Sequence, residues 1–189
     1  MANLDTPFGL KAINSVGSSY AGQVTQYFVP ASDSTAIFVG DPVVKTGTAN
    51  TDGMPIATKA TAGAGNAITG VVVSVSYDGD DLQSTYRKAS TDRIVFVDDA
   101  PQTRFVVQAD GAVAVTDIGN NADLVFTNAG STVYGVSGVE LDSTTFGTGA
   151  TKQVKVVGLY DQIDNEIGAN AKLIVTINNH TEANNKAGI

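Results

Sequence analysis

The chain has 189 residues, 42% of them apolar and only 16% charged, with no cysteine and a formal net charge of -8. This length suits one well-cored all-β domain, and the missing thiols exclude disulfides and cysteine metal sites. With 19 acidic residues against 11 basic ones, and Arg87-Lys88 as the longest basic run, binding to nucleic-acid phosphates or anionic membranes is disfavoured.

Residues 1–20 carry isolated apolar side chains (Leu4, Phe8, Leu10, Ile13) among Gly, Ser and Asn, without a clean period. They read either as a frayed terminus or as an extended arm that orders only against a partner. The first residues lack the basic and apolar regions of a signal peptide, and no run of about 18 apolar residues occurs. The expectation is a protein made in the cytoplasm with no membrane span.

From residue 23 the apolar pattern is mostly period two, with β-branched residues at alternating positions, which predicts strands. Residues 23–29 form the first, stopped by Pro30. Residues 36–39 and 42–45 read as two short extended pieces around Gly40-Asp41. The run at 67–77 is the strongest, and its doubly apolar stretch predicts a strand buried on both faces. Residues 93–97 and 103–108 flank Asp98-Asp99-Ala100-Pro101 and predict a hairpin. Further strands are expected at 112–115, 124–126, 133–136, 152–159 and 172–177. The only helical expectation is one short turn near Asp117–Asp123. The fold class is therefore all-β, an antiparallel sandwich or barrel. The domain plan is an extended N-terminal arm at 1–20, a single β domain at 21–180 and a polar, exposed tail at 181–189.

Motifs for chemistry are thin. His180 is the single histidine, and its place just past the last predicted strand reads as a surface strand end. No Gly-x-Ser-x-Gly elbow accompanies it, so a nucleophilic triad is not expected. Asp78-Gly79-Asp80-Asp81 and Asp98-Asp99 read as solvated turn residues; the first lacks the twelve-residue pattern and closing Glu of a calcium loop. Turn-located aspartates give no pair facing across a cleft for glycoside hydrolysis, and the chain has no Trp for a sugar platform. Gly147–Lys152 fails the phosphate-loop spacing and precedes a strand. No catalytic residue, cofactor site or metal site is assigned.

Several stretches carry a resemblance. The opening Met1-Ala2-Asn3-Leu4-Asp5-Thr6-Pro7-Phe8-Gly9-Leu10 is similar to the start of tailed-phage head decoration, capsid-stabilising or cement proteins. Residues 27–33, 38–43, 67–73, 84–91, 138–143, 164–172 and 175–180 continue the likeness over nearly the whole chain. The resemblance implies a sandwich or jelly-roll-like fold that docks outside the expanded shell and bridges adjacent major capsid protein subunits. It also implies a homo-oligomer, dimer or trimer, in the virion rather than free in the cell. On this reading Phe8, Leu10 and Ile13 are the capsid-contact candidates, since buried apolar side chains dominate interface energy. The alternative is a head-surface recognition module, a fibre base or adhesin, that binds host glycans.

Overall fold

The computed structural model describes residues 3–15 and 18–183. Among them every regular element except one 3-10 turn is a strand. In chain order these are β1 (Lys11–Ser15), β2 (Ser18–Ser19), β3 (Thr25–Val29), β4 (Pro42–Ala49), β5 (Pro55–Lys59), β6 (Gly70–Val75) and β7 (Arg93–Asp98). They continue with β8 (Thr103–Gln108), β9 (Asn121–Ala122), β10 (Leu124–Val125), β11 (Glu140–Leu141), β12 (Val154–Leu159) and β13 (Lys172–Ile177). The 3-10 turn spans Val115–Asp117, just ahead of the helical turn the sequence predicts.

Five consecutive strands close into a barrel in the order β3-β5-β4-β6-β7. Period-two patterning puts Tyr27 and Val29, Val95 and Val97, Val43, Ala57 and Val72 inside, with Ile37 from a loop. All contacts are antiparallel except a short parallel one, Phe28 against Ile56. Closure leaves no unpaired rim between these strands. A second layer is a six-stranded antiparallel sheet, β2-β1-β8-β13-β12-β9, with β10 and β11 as a small separate ladder. Its core gathers Phe105 and Val107, Leu173 and Val175, Val154 and Val156, together with Leu10, Ile68 and Val71.

β6 joins the two layers. Val71 faces the sheet core and Val72 the barrel core, because successive side chains on a strand point to opposite faces. The doubly apolar run is thus buried on both faces as its pattern predicts, over Gly70–Val72. Gly70 has no alternative here: a Cβ would sit 2.3 Å from the Asp98 carbonyl oxygen.

The predicted hairpin at 93–108 does not form. Both sides of β7 are already occupied, Val97 facing Thr25 on β3 and Val72 on β6. β8 pairs instead with β1 and β13 in the other layer. The turn between them carries the chain across, held by the Asp98 carboxylate, which accepts from Thr103 Oγ1 (3.0 Å) and the Ala100 N–H (3.2 Å). Residues 112–115 and 133–136 are not strands either. The first makes a single bridge, Ala112 to Ala169, and the second a turn ending in a bridge from Val136 to Val39.

Buried polar side chains tie the long loops. The Arg87 guanidinium is fully buried and donates to the carbonyls of Thr91, Thr35, Pro30 and Asp33. Gln153 donates to the Thr61 and Asn66 carbonyls and accepts from the Gly63 and Leu124 N–H groups. Each satisfies backbone groups that the loops would otherwise bury unpaired, at about 1–3 kcal/mol per group.

The N-terminal segment is extended, but this chain itself holds it. Lys11–Ser15 is a strand between β8 and β2, and Leu10 is 2% exposed within the sheet core. The reading of residues 1–20 as frayed or ordered only by a partner is therefore corrected for 3–15. Residues 1–2, 16–17 and 184–189 of the predicted arm and tail lie outside the described residues. Of that tail, Glu182 is exposed and pairs with Lys45 Nζ at 2.5 Å.

Candidate binding cleft

Three pins fix the N-terminal segment. Asn3 Nδ2 donates to the carbonyls of Glu166 (2.8 Å) and Ala169 (2.7 Å). Gln108, fully buried on β8, accepts the Thr6 N–H at 3.0 Å and donates to the Leu4 carbonyl at 2.7 Å. At the third pin, the Leu10 N–H reaches the Gly40 carbonyl at 3.0 Å, and the Gly40 N–H reaches the Val72 carbonyl at 2.8 Å. That crossing requires glycine on both sides. Gly9 (φ 73°) and Gly40 (φ 92°) occupy left-handed backbone, and a Cβ on Gly9 would lie 2.7 Å from the Gly40 oxygen.

Beside this crossing the layers leave an open cleft of about 800 Å³, within the usual ligand-pocket range of about 300–1,000 Å³. Phe8, Leu10 and Ile13, the three contact candidates read from the sequence, all line it. Leu10 does so from the chain's own core, so it is corrected from a lacing anchor to a wall of the cleft; Phe8 and Ile13 are half-buried. The opposite wall is Val71, Val72 and Val73 of β6, with Val39 and Val136 closing one end. Asp41 sets that end by accepting from Ser137 Oγ (2.6 Å) and the Phe38 N–H (2.9 Å) while Lys59 neutralises it at 3.0 Å. A shallower depression on the far side of Phe8 continues the surface to Tyr134, which is 77% exposed.

The charged residues lining the cleft are Lys11 and Lys172, and no carboxylate lines it. Lys172 Nζ lies 3.4 Å from Gln162 Oε1. The register places Lys11 beside Val106, and Val106 beside Ile174, so Lys11, Val106 and Lys172 share one face of the sheet. The Tyr20 hydroxyl, also at the cleft, is buried without a hydrogen-bond partner. Nothing in the sequence singled out Lys11, Lys172, Tyr20 or the β6 wall as a site. They come from separated segments, and the only local signals were the Phe8-Gly9 and Gly40-Asp41 turns.

The other candidates are structural. His180 is 3% exposed rather than a surface strand end, because Thr181 and Asn179 bracket it with backbone bonds to Ile68. Its Nδ1 accepts the Glu182 N–H at 3.0 Å, and burial holds the imidazole below its ordinary pKa, hence neutral. Of the aspartates expected as solvated turns, Asp80 is exposed and the other four are buried or half-buried. Asp78 is 8% exposed and ion-paired with Arg93, and Asp98 is 1% exposed, its carboxyl pKa pushed up by burial. Asp99 accepts from Thr25 Oγ1 and Tyr27 Oη, each at 3.0 Å. Among the described residues no group of three or more His, Cys, Asp or Glu side chains could hold a metal ion, and no helix is long and apolar enough to cross a membrane. No protein-family model, curated protein or solved structure matches the chain.

Proposed function

We propose that this chain is a non-enzymatic virion protein that decorates the exterior of a tailed-phage capsid and cements adjacent major capsid subunits. The observation that carries the reading is the apolar relief around the N-terminal segment. The cleft and the depression beyond Phe8 share Thr6, Phe8 and Val136, and the depression is also lined by Tyr134, which is 77% exposed. Clustered apolar exposure marks a surface meant for another protein. The sequence likeness to cement proteins supplies the identity of that partner.

Cementing is a linkage effect. A protein that binds the mature shell and not its separated subunits stabilises the shell by mass action. Many copies, each burying an ordinary interface of about 1,600 Å², add up without any single strong contact. The test is to mix the purified chain with expanded capsids that lack it, then to measure co-sedimentation and the temperature at which DNA is released. Stoichiometric binding with a raised release temperature is the expected result. A chain that neither sediments with capsids nor shifts that temperature is not a cement protein.

A further inference from the structure

We propose that the outward face of the six-stranded sheet docks an acidic surface of a different protein, whose carboxylates meet Lys11, Arg104, Lys155 and Lys172. The inference rests on the function proposed above for the identity of that partner, yet its peptide test stands apart from any capsid.

Register puts these four cations on one face. Phe105, Val107, Leu173 and Val175 point into the core, so Arg104, Val106, Gln108, Lys172, Ile174 and Thr176 point out. Lys155 stands opposite Thr176, between the inward Val154 and Val156, and Lys11 stands opposite Val106. Lys155, Thr176, Arg104 and Asn14 thus form one cross-strand row, and Ile174, Val106 and Lys11 the next. Lys172 follows on β13, opposite Gln108. Lys11 is exposed, Arg104, Lys155, Lys172 and Ile174 are half-buried, and Val106 is buried.

Ion pairing separates this face from the rest of the molecule. Elsewhere Lys45, Lys59, Arg87, Lys88, Arg93 and Lys152 each pair with a carboxylate. Among the described residues Lys11, Arg104, Lys155 and Lys172 pair with none, although the chain holds 19 acidic residues. The strands of this sheet contain no Asp or Glu at all. Arg87 and Arg93 also donate to backbone carbonyls, whereas the buried Nε of Arg104 has no partner. A guanidinium fork matches a carboxylate through two parallel bonds.

Spacing and composition select the occupant. Strands about 4.8 Å apart put Lys155 and Arg104, with β13 between them, about 10 Å apart, too far for one small anion to bridge. A twofold pairing of this face with a second copy would set cation against cation. β8 and β13 turn no aromatic ring outward on which nucleobases could stack, and a net charge of -8 repels a polyanion as a whole. A protein surface bearing a few carboxylates around an apolar centre complements Ile174 and Val106 with cations around them.

Fluorescence anisotropy of the full chain at low salt with three labelled probes tests this. The first is a twelve-residue peptide with four Glu among Val and Thr, the second replaces each Glu by Gln, and the third is a twelve-residue oligothymidylate. The Glu peptide is expected to bind at least about tenfold tighter than either of the others, with the preference shrinking as salt rises. Arg104→Gln/Lys155→Gln and Lys11→Gln/Lys172→Gln should each cut that preference below about threefold. Lys45→Gln/Lys88→Gln removes as much charge from ion-paired positions and should leave it unchanged. Equal binding of the Glu and Gln peptides, no binding at all, oligothymidylate binding as tight as the Glu peptide, or an equal loss in the paired-lysine variant overturns the proposal. Self-association in sedimentation equilibrium that the face variants abolish overturns it too, by giving the face to a second copy. Capsid binding that survives both face variants removes this inference alone, while a Glu preference without capsid binding removes the cement reading alone.

Discussion

The barrel and the six-stranded sheet are built on opposite principles. The barrel uses one continuous stretch, from Thr25 to Asp98, and closes on itself. The sheet collects strands from Lys11 to Ile177 and remains open, ending on two-residue strands at each side. Closure removes the rim that another chain could use. Openness keeps one, and the described structure leaves it beside an apolar cleft at β1. The layer assembled from distant segments is thus the one with an open rim, and the locally assembled barrel supplies the opposite wall of the cleft through β6.

Substitutions can break or sharpen this contrast. The largest effect is expected for Phe105→Ala at the centre of the sheet core, where deleting a fully buried ring costs about 3–5 kcal/mol. Arg87→Met in the barrel loops strands four carbonyls and the nearby Asp33 carboxylate, and should cost about 3 kcal/mol. Because β6 contributes to both cores, both changes are expected to move one common urea transition; two separate transitions would show the layers to be independent units.

Gly70→Ala probes the seam itself, and the collision with the Asp98 carbonyl predicts a loss of about 1–3 kcal/mol in the same assay. The seam also has a pH signature. The His180 imidazole is held below its ordinary 6.5 by burial, so the unfolded chain takes up the proton first. Its contribution is complete above pH 6.5 and is lost as pH falls through the lowered value. Urea titrations from pH 7.5 to 5 should show stability declining toward acid, and His180→Gln should flatten that slope. The smallest effect belongs to the cleft lysines: Lys11→Glu/Lys172→Glu should change stability by no more than about 0.5 kcal/mol. A larger loss would make those lysines part of the packed fold rather than of an open cleft.

Legibility followed the range of the interaction. Alternating apolar residues were enough to place β3, β6, β7, β8, β12 and β13, since each carries its own inward face. Short strands such as β9 and β11, two residues each, have no period to read. β5 was missed because Pro55-Ile56-Ala57-Thr58-Lys59 shows too few apolar residues for a clear alternation. The hairpin at 93–108 failed for a different reason: whether neighbouring strands pair depends on which edges other strands have already taken. His180, Asp78 and Asp98 looked exposed because polar residues near turns usually are, and only packing revealed what covers them.

The sequence by itself determined an all-β chain and its main strands, because side-chain period is a local property. It also picked out Phe8, Leu10 and Ile13. Tertiary structure alone decided that Leu10 is a core residue, that the N-terminal segment is a strand of its own sheet, and that these residues face β6 across a cleft that two lysines also line. Those outcomes depend on hydrogen bonds and contacts between residues far apart in the chain, such as Gln108 with Leu4 and Gly40 with Leu10. No local pattern encodes such a meeting, because it exists only once both layers have folded.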